Sequence, residues 1–253
     1  MSKETVNTIS HRQRVLELFK TISDIPRCSG NERKISDWLV SFAKSHNLSV
    51  IQDEALNIII KVPATAGYQD KAGIILQGHM DMVCVKDQNT RHDFKKEPIE
   101  IYEEDDWLMA RGTTLGADNG IAIAIALAVA TDMQIEHPSM ELLFTTDEER
   151  GLEGANTLAG GFLKGKYLLN LDSEDEGVFT IGCAGGRETH IELALEFEDN
   201  IAELPTFEIE IYKLSGGHSG IQIGQQKPNS IQLVSRILYH LLIAILYYLY
   251  FLI

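Results

Sequence analysis

Cysteine is scarce in this 253-residue sequence: Cys28, Cys84 and Cys183 are odd in number and widely spaced. They fit neither a disulfide framework nor a CxxC zinc site, suit a reducing cytosol, and read as small buried hydrophobes. Basic residues are also few, 22 Lys+Arg against 37 Asp+Glu, for a net charge of −15. That deficit argues against nucleic acid as a partner and against docking on anionic membranes, both of which need a basic face. The first twenty residues lack an apolar run with basic flanks and a cleavage site, so they read as no signal peptide, and a cytoplasmic location is expected. Charge itself is missing from 237–253, which holds four of the eight tyrosines but no Asp, Glu, Lys or Arg.

What is present is the balance of a globular protein, 44% hydrophobic and 23% charged residues. Val15, Leu18, Phe19 and Ile22 recur at helical spacing before Pro26. Ser29-Gly30-Asn31-Glu32 reads as a capping box ahead of Ile35, Trp38, Leu39 and Phe42. Short apolar runs at 48–51, 57–62, 73–77, 140–145 and 167–171 read as strands, and the Ala-rich run 120–130 as a buried helix. This alternation predicts an α/β fold, a sheet covered on both faces, with ligands beyond the carboxyl ends of its strands. Beyond about 186 the pattern changes to period two at 189–197 and 207–214, the start of a smaller α+β region.

Four polar clusters sit at predicted strand ends or at a helix start: His79 with Asp81, then Asp118, then Asp147-Glu148-Glu149, then Asp172. Singly, such acids are turn, cap or solvated-loop residues. Converging on one sheet edge they would repel one another unless cations neutralise them. One imidazole with several carboxylates suits a first-row divalent metal, zinc foremost.

The segments LQGHMDMV, ARGTTLGADNGIAIA, FTTDEERGLEGA, LLNLDSEDEG and LSGGHSG together resemble the co-catalytic zinc peptidases, specifically their aminoacyl-histidine dipeptidase branch. The resemblance runs from about residue 15 to 236. It implies a mostly parallel mixed sheet flanked by helices over 1–186, an incomplete α+β lid over 187–236, and an apolar tail over 237–253. It implies hydrolysis of Xaa-His or other dipeptides by a water held between two zinc ions, with cobalt or manganese as substitutes. By resemblance, His79 and Asp172 ligate one zinc, Asp118 bridges both and Glu149 ligates the second. Glu148 is then the general base, and Asp81 orients His79 through its other ring nitrogen. The peptide after Asp118 is a candidate for the cis form. His218, in the glycine-rich lid motif, would supply an oxyanion donor across a homodimer. Arg111 and Asn119 are further candidates for positioning a small peptide substrate.

Members of that branch are nearly twice as long, with a further histidine ligand and carboxylate-binding groups beyond the lid. His240 lies in an apolar run and does not supply that ligand. The reading is therefore the N-terminal half of such an enzyme, with a catalytically incomplete fragment as the alternative. Three origins suit the tail: a short membrane helix, a core helix, or a shifted reading frame after about Arg236. Its uncharged Leu/Ile/Tyr composition favours the third.

Overall fold

A computed structural model of the chain describes residues 10–173, 177–183, 185, 189–196, 207–217, 222 and 224–250. They belong to two units, Met1–Glu176 and Gly177–Ile253. The first opens with α1 (His11–Ser23) and α2 (Arg33–Ser45), followed by strands β1 (Ser49–Gln52), β2 (Ile58–Val62) and β3 (Ile74–His79). Next come a hairpin of β4 (Ile101–Glu104) and β5 (Trp107–Ala110), then α3 (Ala117–Thr131), β6 (Met140–Thr145), α4 (Glu153–Thr157) and β7 (Tyr167–Asn170).

Helix α1 starts where the Ser10 hydroxyl accepts the Gln13 amide at 3.2 Å, and its apolar stripe ends in the buried Phe19 and Ile22. At α2 the expected capping box does not form. Glu32 occupies the cap position without a side-chain cap bond, and the Ser29 hydroxyl donates to Asp81 instead. A helix start needs an acceptor for its free N–H groups, whereas here the Ser29 hydroxyl is turned to donate to the buried carboxylate, and Glu32 accepts the Gly30 amide at 2.9 Å.

The sheet order is β1-β2-β6-β3-β7. Pairs β1/β2 and β2/β6 are antiparallel while β3/β6 and β3/β7 are parallel, so β2 alone runs against the other four. Alternate residues then face opposite sides. Ile58, Ile60, Leu76, Leu142 and Phe144 meet Phe19, Ile22, Ile35, Leu39 and Leu127 from the helices, whereas Ile59, Ile75 and Leu143 meet Leu158, Phe162 and Leu163. Each large side chain so buried contributes roughly 1.5–3 kcal/mol. Helix α3, apolar on every side, packs between α1 and β3. Strand β7 departs from the expected cover on both faces: Tyr167, Leu168 and Leu169 are exposed.

In the second unit the expected strands are absent: the described parts of those runs, 189–196 and 207–214, carry no strand. Alternation creates a strand only where one face is covered and an edge is paired, and Ile191, Leu193 and Phe207 are all exposed. The unit contains α5 (Ser230–Tyr250), which passes the 236/237 position without a break. Among the described residues no helix is long and apolar enough to cross a membrane.

Candidate active site

Because β3, β6 and β7 are parallel, their carboxyl ends emerge together, with His79 beside Thr145 and Gln77 beside Asn170 in register. The chain leaving β6 carries Asp147, Glu148 and Glu149, the chain leaving β7 carries Asp172, and α3 brings Asp118. The peptide between Asp118 and Asn119 is cis, as expected.

These groups gather around one imidazole. His79 Nε2 lies 3.0 Å from Asp118 Oδ1, 3.7 Å from Asp172 Oδ2 and 3.9 Å from Glu148 Oε2. Its other nitrogen, Nδ1, lies 3.2 Å from Asp81 Oδ1 and 3.1 Å from the Asp81 carbonyl. Asp81 is fully buried and accepts three more bonds: Ser29 Oγ at 2.7 Å, Glu148 N–H at 3.0 Å and Glu149 N–H at 3.2 Å. One carboxylate thus fixes the ring and the loop bearing both glutamates. Burial alone would raise Asp81, but these donors, His79 first, hold it down at about 2. Burial likewise works against a charged His79, yet Asp118 and Asp81 outweigh it and lift the ring to about 10.

Asn119 is buried and ties the α3 start to both strands. Its Oδ1 accepts the His79 amide at 3.2 Å and its Nδ2 donates to Asp172 Oδ1 at 3.1 Å. Arg111, by contrast, pairs with Glu100 at 2.8 Å and stacks over Tyr102, so it is a surface group of the β4–β5 hairpin. His218 lies outside the described residues.

The donor set fits a divalent metal. His79, Asp118 and Asp172 form one group whose ligand atoms lie within 4.8 Å of one another, and His79, Glu148 and Glu149 form a second. Burial, with neighbouring carboxylates, raises Glu149 and lifts Asp172 to about 6, so the cluster is short of positive charge. A third group, Glu32, Asp81 and Asp147, has similar spacing but no imidazole, and its oxygens already accept N–H and O–H donors.

Two expectations about the surroundings are corrected. Cys28 and Cys84 form a disulfide, and Cys183 is exposed. The pairing follows from a parallel bridge between Cys28 and Met82 that draws together segments 56 residues apart, which sequence spacing does not reveal. Arg27 and Ser29 also belong to the site: Ser29 reads as part of a helix-start motif, and Arg27 stands outside every motif in the sequence.

A mostly parallel α/β sheet whose strand ends hold a histidine within a ring of carboxylates has the ligand chemistry of the α/β metalloproteins that bind a divalent ion beyond their strand ends. Residues 75–226 match the model of peptidase family M20/M25/M40, and the chain belongs to that family. It is 42% identical over 226 residues to a cytosol non-specific dipeptidase of Escherichia coli (strain K12), covering 89% of this chain and 47% of that protein. The crystal structure of an aminoacylhistidine dipeptidase from Vibrio alginolyticus is similar with a TM-score of 0.65 and 43% identity, over 69% of this chain and 36% of the other. A Staphylococcus aureus tripeptidase is more distant, with a TM-score of 0.56 and 26% identity over 66% and 44% of the two chains. The chain therefore spans about half the length, or less, of these three relatives.

Proposed function

We propose that this chain carries the metal-binding part of a metal-dependent dipeptidase acting in the cytosol on Xaa-His or a broader set of dipeptides. The observation that carries the reading is His79 Nε2 within 3.0–3.9 Å of the carboxylates of Asp118, Asp172 and Glu148. The dipeptidase names of the relatives at 42% and 43% identity support the substrate class.

His79, Asp118 and Asp172 would hold one zinc, and Asp118 with Glu149 the second, with cobalt or manganese acceptable to the same donors. The bound ions supply a lowered water pKa and a polarised scissile carbonyl. Glu148, one-third exposed and not engaged by Asp81 through its side chain, accepts the proton of the attacking water at Oε2. It then returns that proton to the leaving amine. Asp81 keeps Nδ1 of His79 occupied so that Nε2 faces the metal position. His218 would supply the oxyanion donor across a homodimer, as the resemblance implies.

A second reading is a chain that binds one metal well and does not turn over alone. It is favoured by the lopsided donor set: around Glu149 the cluster contains no imidazole besides His79 among the described residues of the first unit. Zinc-loaded protein assayed with an Xaa-His dipeptide separates the two. The first reading expects amino-acid release that disappears in Glu148→Gln while bound zinc stays. Zinc binding without any release supports the second, and release that survives Glu148→Gln contradicts the assignment of the base.

A further inference from the structure

Arg27 is fully buried, an unusual position for a guanidinium with no carboxylate in direct contact among the described residues. Its Nη1 donates to the carbonyls of Met80 at 3.0 Å and Asp81 at 3.2 Å, and its Nη2 donates to the carbonyl of Gly116. Its own carbonyl accepts the Met82 amide at 3.2 Å. Met80 and Asp81 directly follow His79, and Gly116 is the cap residue of α3, two positions before Asp118. One planar group therefore bridges the two segments that deliver the imidazole and its nearest carboxylate.

The glycines of Gly116-Ala117-Asp118-Asn119-Gly120 explain how the group fits. A Cβ at Gly116, where φ is +71°, would stand 2.6 Å from Arg27 Nη2 and from Met82 Sδ. A Cβ at Gly120 would stand 2.6 Å from the same Nη2 and 3.1 Å from the Phe19 ring. Both are shaped around the guanidinium. Burial lowers Arg27 to about 10, and the charges of Asp81 and Asp118 partly offset it.

We propose that Arg27 is a positioning residue whose forked guanidinium, seated on Gly116 and Gly120, holds the ends of β3 and α3 in the register the metal site needs. The proposal rests on the metal-dependent reading above. Lysine does not substitute, because a single ammonium on a flexible stem does not bridge three carbonyls in a fixed plane.

The test compares R27K and G120A with L39A, a control in the buried face of α2, all at a temperature where each is folded. Hydrogen exchange by mass spectrometry on chelator-treated protein reads the two segments, 79–84 and 114–120. Cobalt titration followed by the visible spectrum reads the site. Both Arg27-seat variants are expected to raise exchange in the two segments together, alter the cobalt spectrum and weaken cobalt binding about tenfold or more. L39A is expected to lower Tm at least as much while leaving all three unchanged. Unchanged exchange in the two segments, or full retention of cobalt affinity by R27K, overturns the positioning role. Parent protein that takes up no cobalt overturns the metal reading, and the metal-free exchange data show separately whether the bridge exists.

Discussion

At the scale of residues, the site is a set of groups that hold one another's protonation state. Asp172 is the member most at odds with its surroundings: burial first, then Asp118 and Glu148, raise it to about 6. A folded pKa above the unfolded value near 3.8 means that the stability linked to Asp172 is present below about pH 3.8 and lost as pH rises through about 6. Asp172→Asn removes that loss. In chelator-treated protein the variant is expected to melt higher than the parent at pH 8 and level with it at pH 4, while binding zinc more weakly; thermal scans at the two pH values check this. Asp81 acts in the opposite sense, since its carboxylate is the acceptor that every neighbour needs. Asp81→Asn should weaken zinc binding about 10- to 100-fold, measured by competition with a chelating dye, and equal affinity would remove its orienting role. His79, Asp81, Asp118, Glu148, Glu149 and Asp172 were legible in the sequence because acids and a histidine clustered at strand ends. Arg27 and Ser29 were not, because their partners are backbone carbonyls and a carboxylate distant along the chain.

Among elements, β3 and α3 are packed so closely that Gly78 has no room for a side chain. A Cβ there would collide with Asn119 Oδ1 and lie 2.9 Å from the Ala122 Cβ. Gly78→Ala is expected to cost about 1–3 kcal/mol in urea unfolding and to displace the Asn119 amide from the His79 N–H. A loss near zero would show that the two elements are farther apart. The Cys28–Cys84 disulfide closes a separation of 56 residues, and chain entropy puts its contribution at about 4 kcal/mol at most. Oxidised parent should therefore unfold at higher urea than Cys84→Ser, and dithiothreitol should bring the two together; coincident curves before reduction would mean that the bond does not form. The central strands and α3 were readable from runs of apolar residues, since burial on both faces leaves that mark. The β4–β5 hairpin, with its turn at Asp105, went unread because its strands are short and half exposed. The alternating runs at 189–196 and 207–214 carry no strand for the converse reason: pattern alone does not pair an edge.

For the whole molecule, the −15 charge is unevenly meaningful. Asp81, Asp118, Glu148, Glu149 and Asp172 converge on one sheet edge, and cations bound there offset charge that a formal count leaves bare. The family was readable from five ordered motifs: the described parts of four lie at the parallel strand ends or the α3 start, and the glycine-rich one contains His218, outside the described residues. The central claim is that the His79 cluster is a divalent metal site. Equilibrium dialysis of folded protein against zinc, with the bound metal measured by elemental analysis, tests it most directly. The account predicts at least one tightly held zinc per chain, lost in His79→Ala and in Asp118→Asn with the fold intact by circular dichroism. Folded parent protein holding no zinc above the dialysis background, or variants that hold as much as the parent, would contradict it.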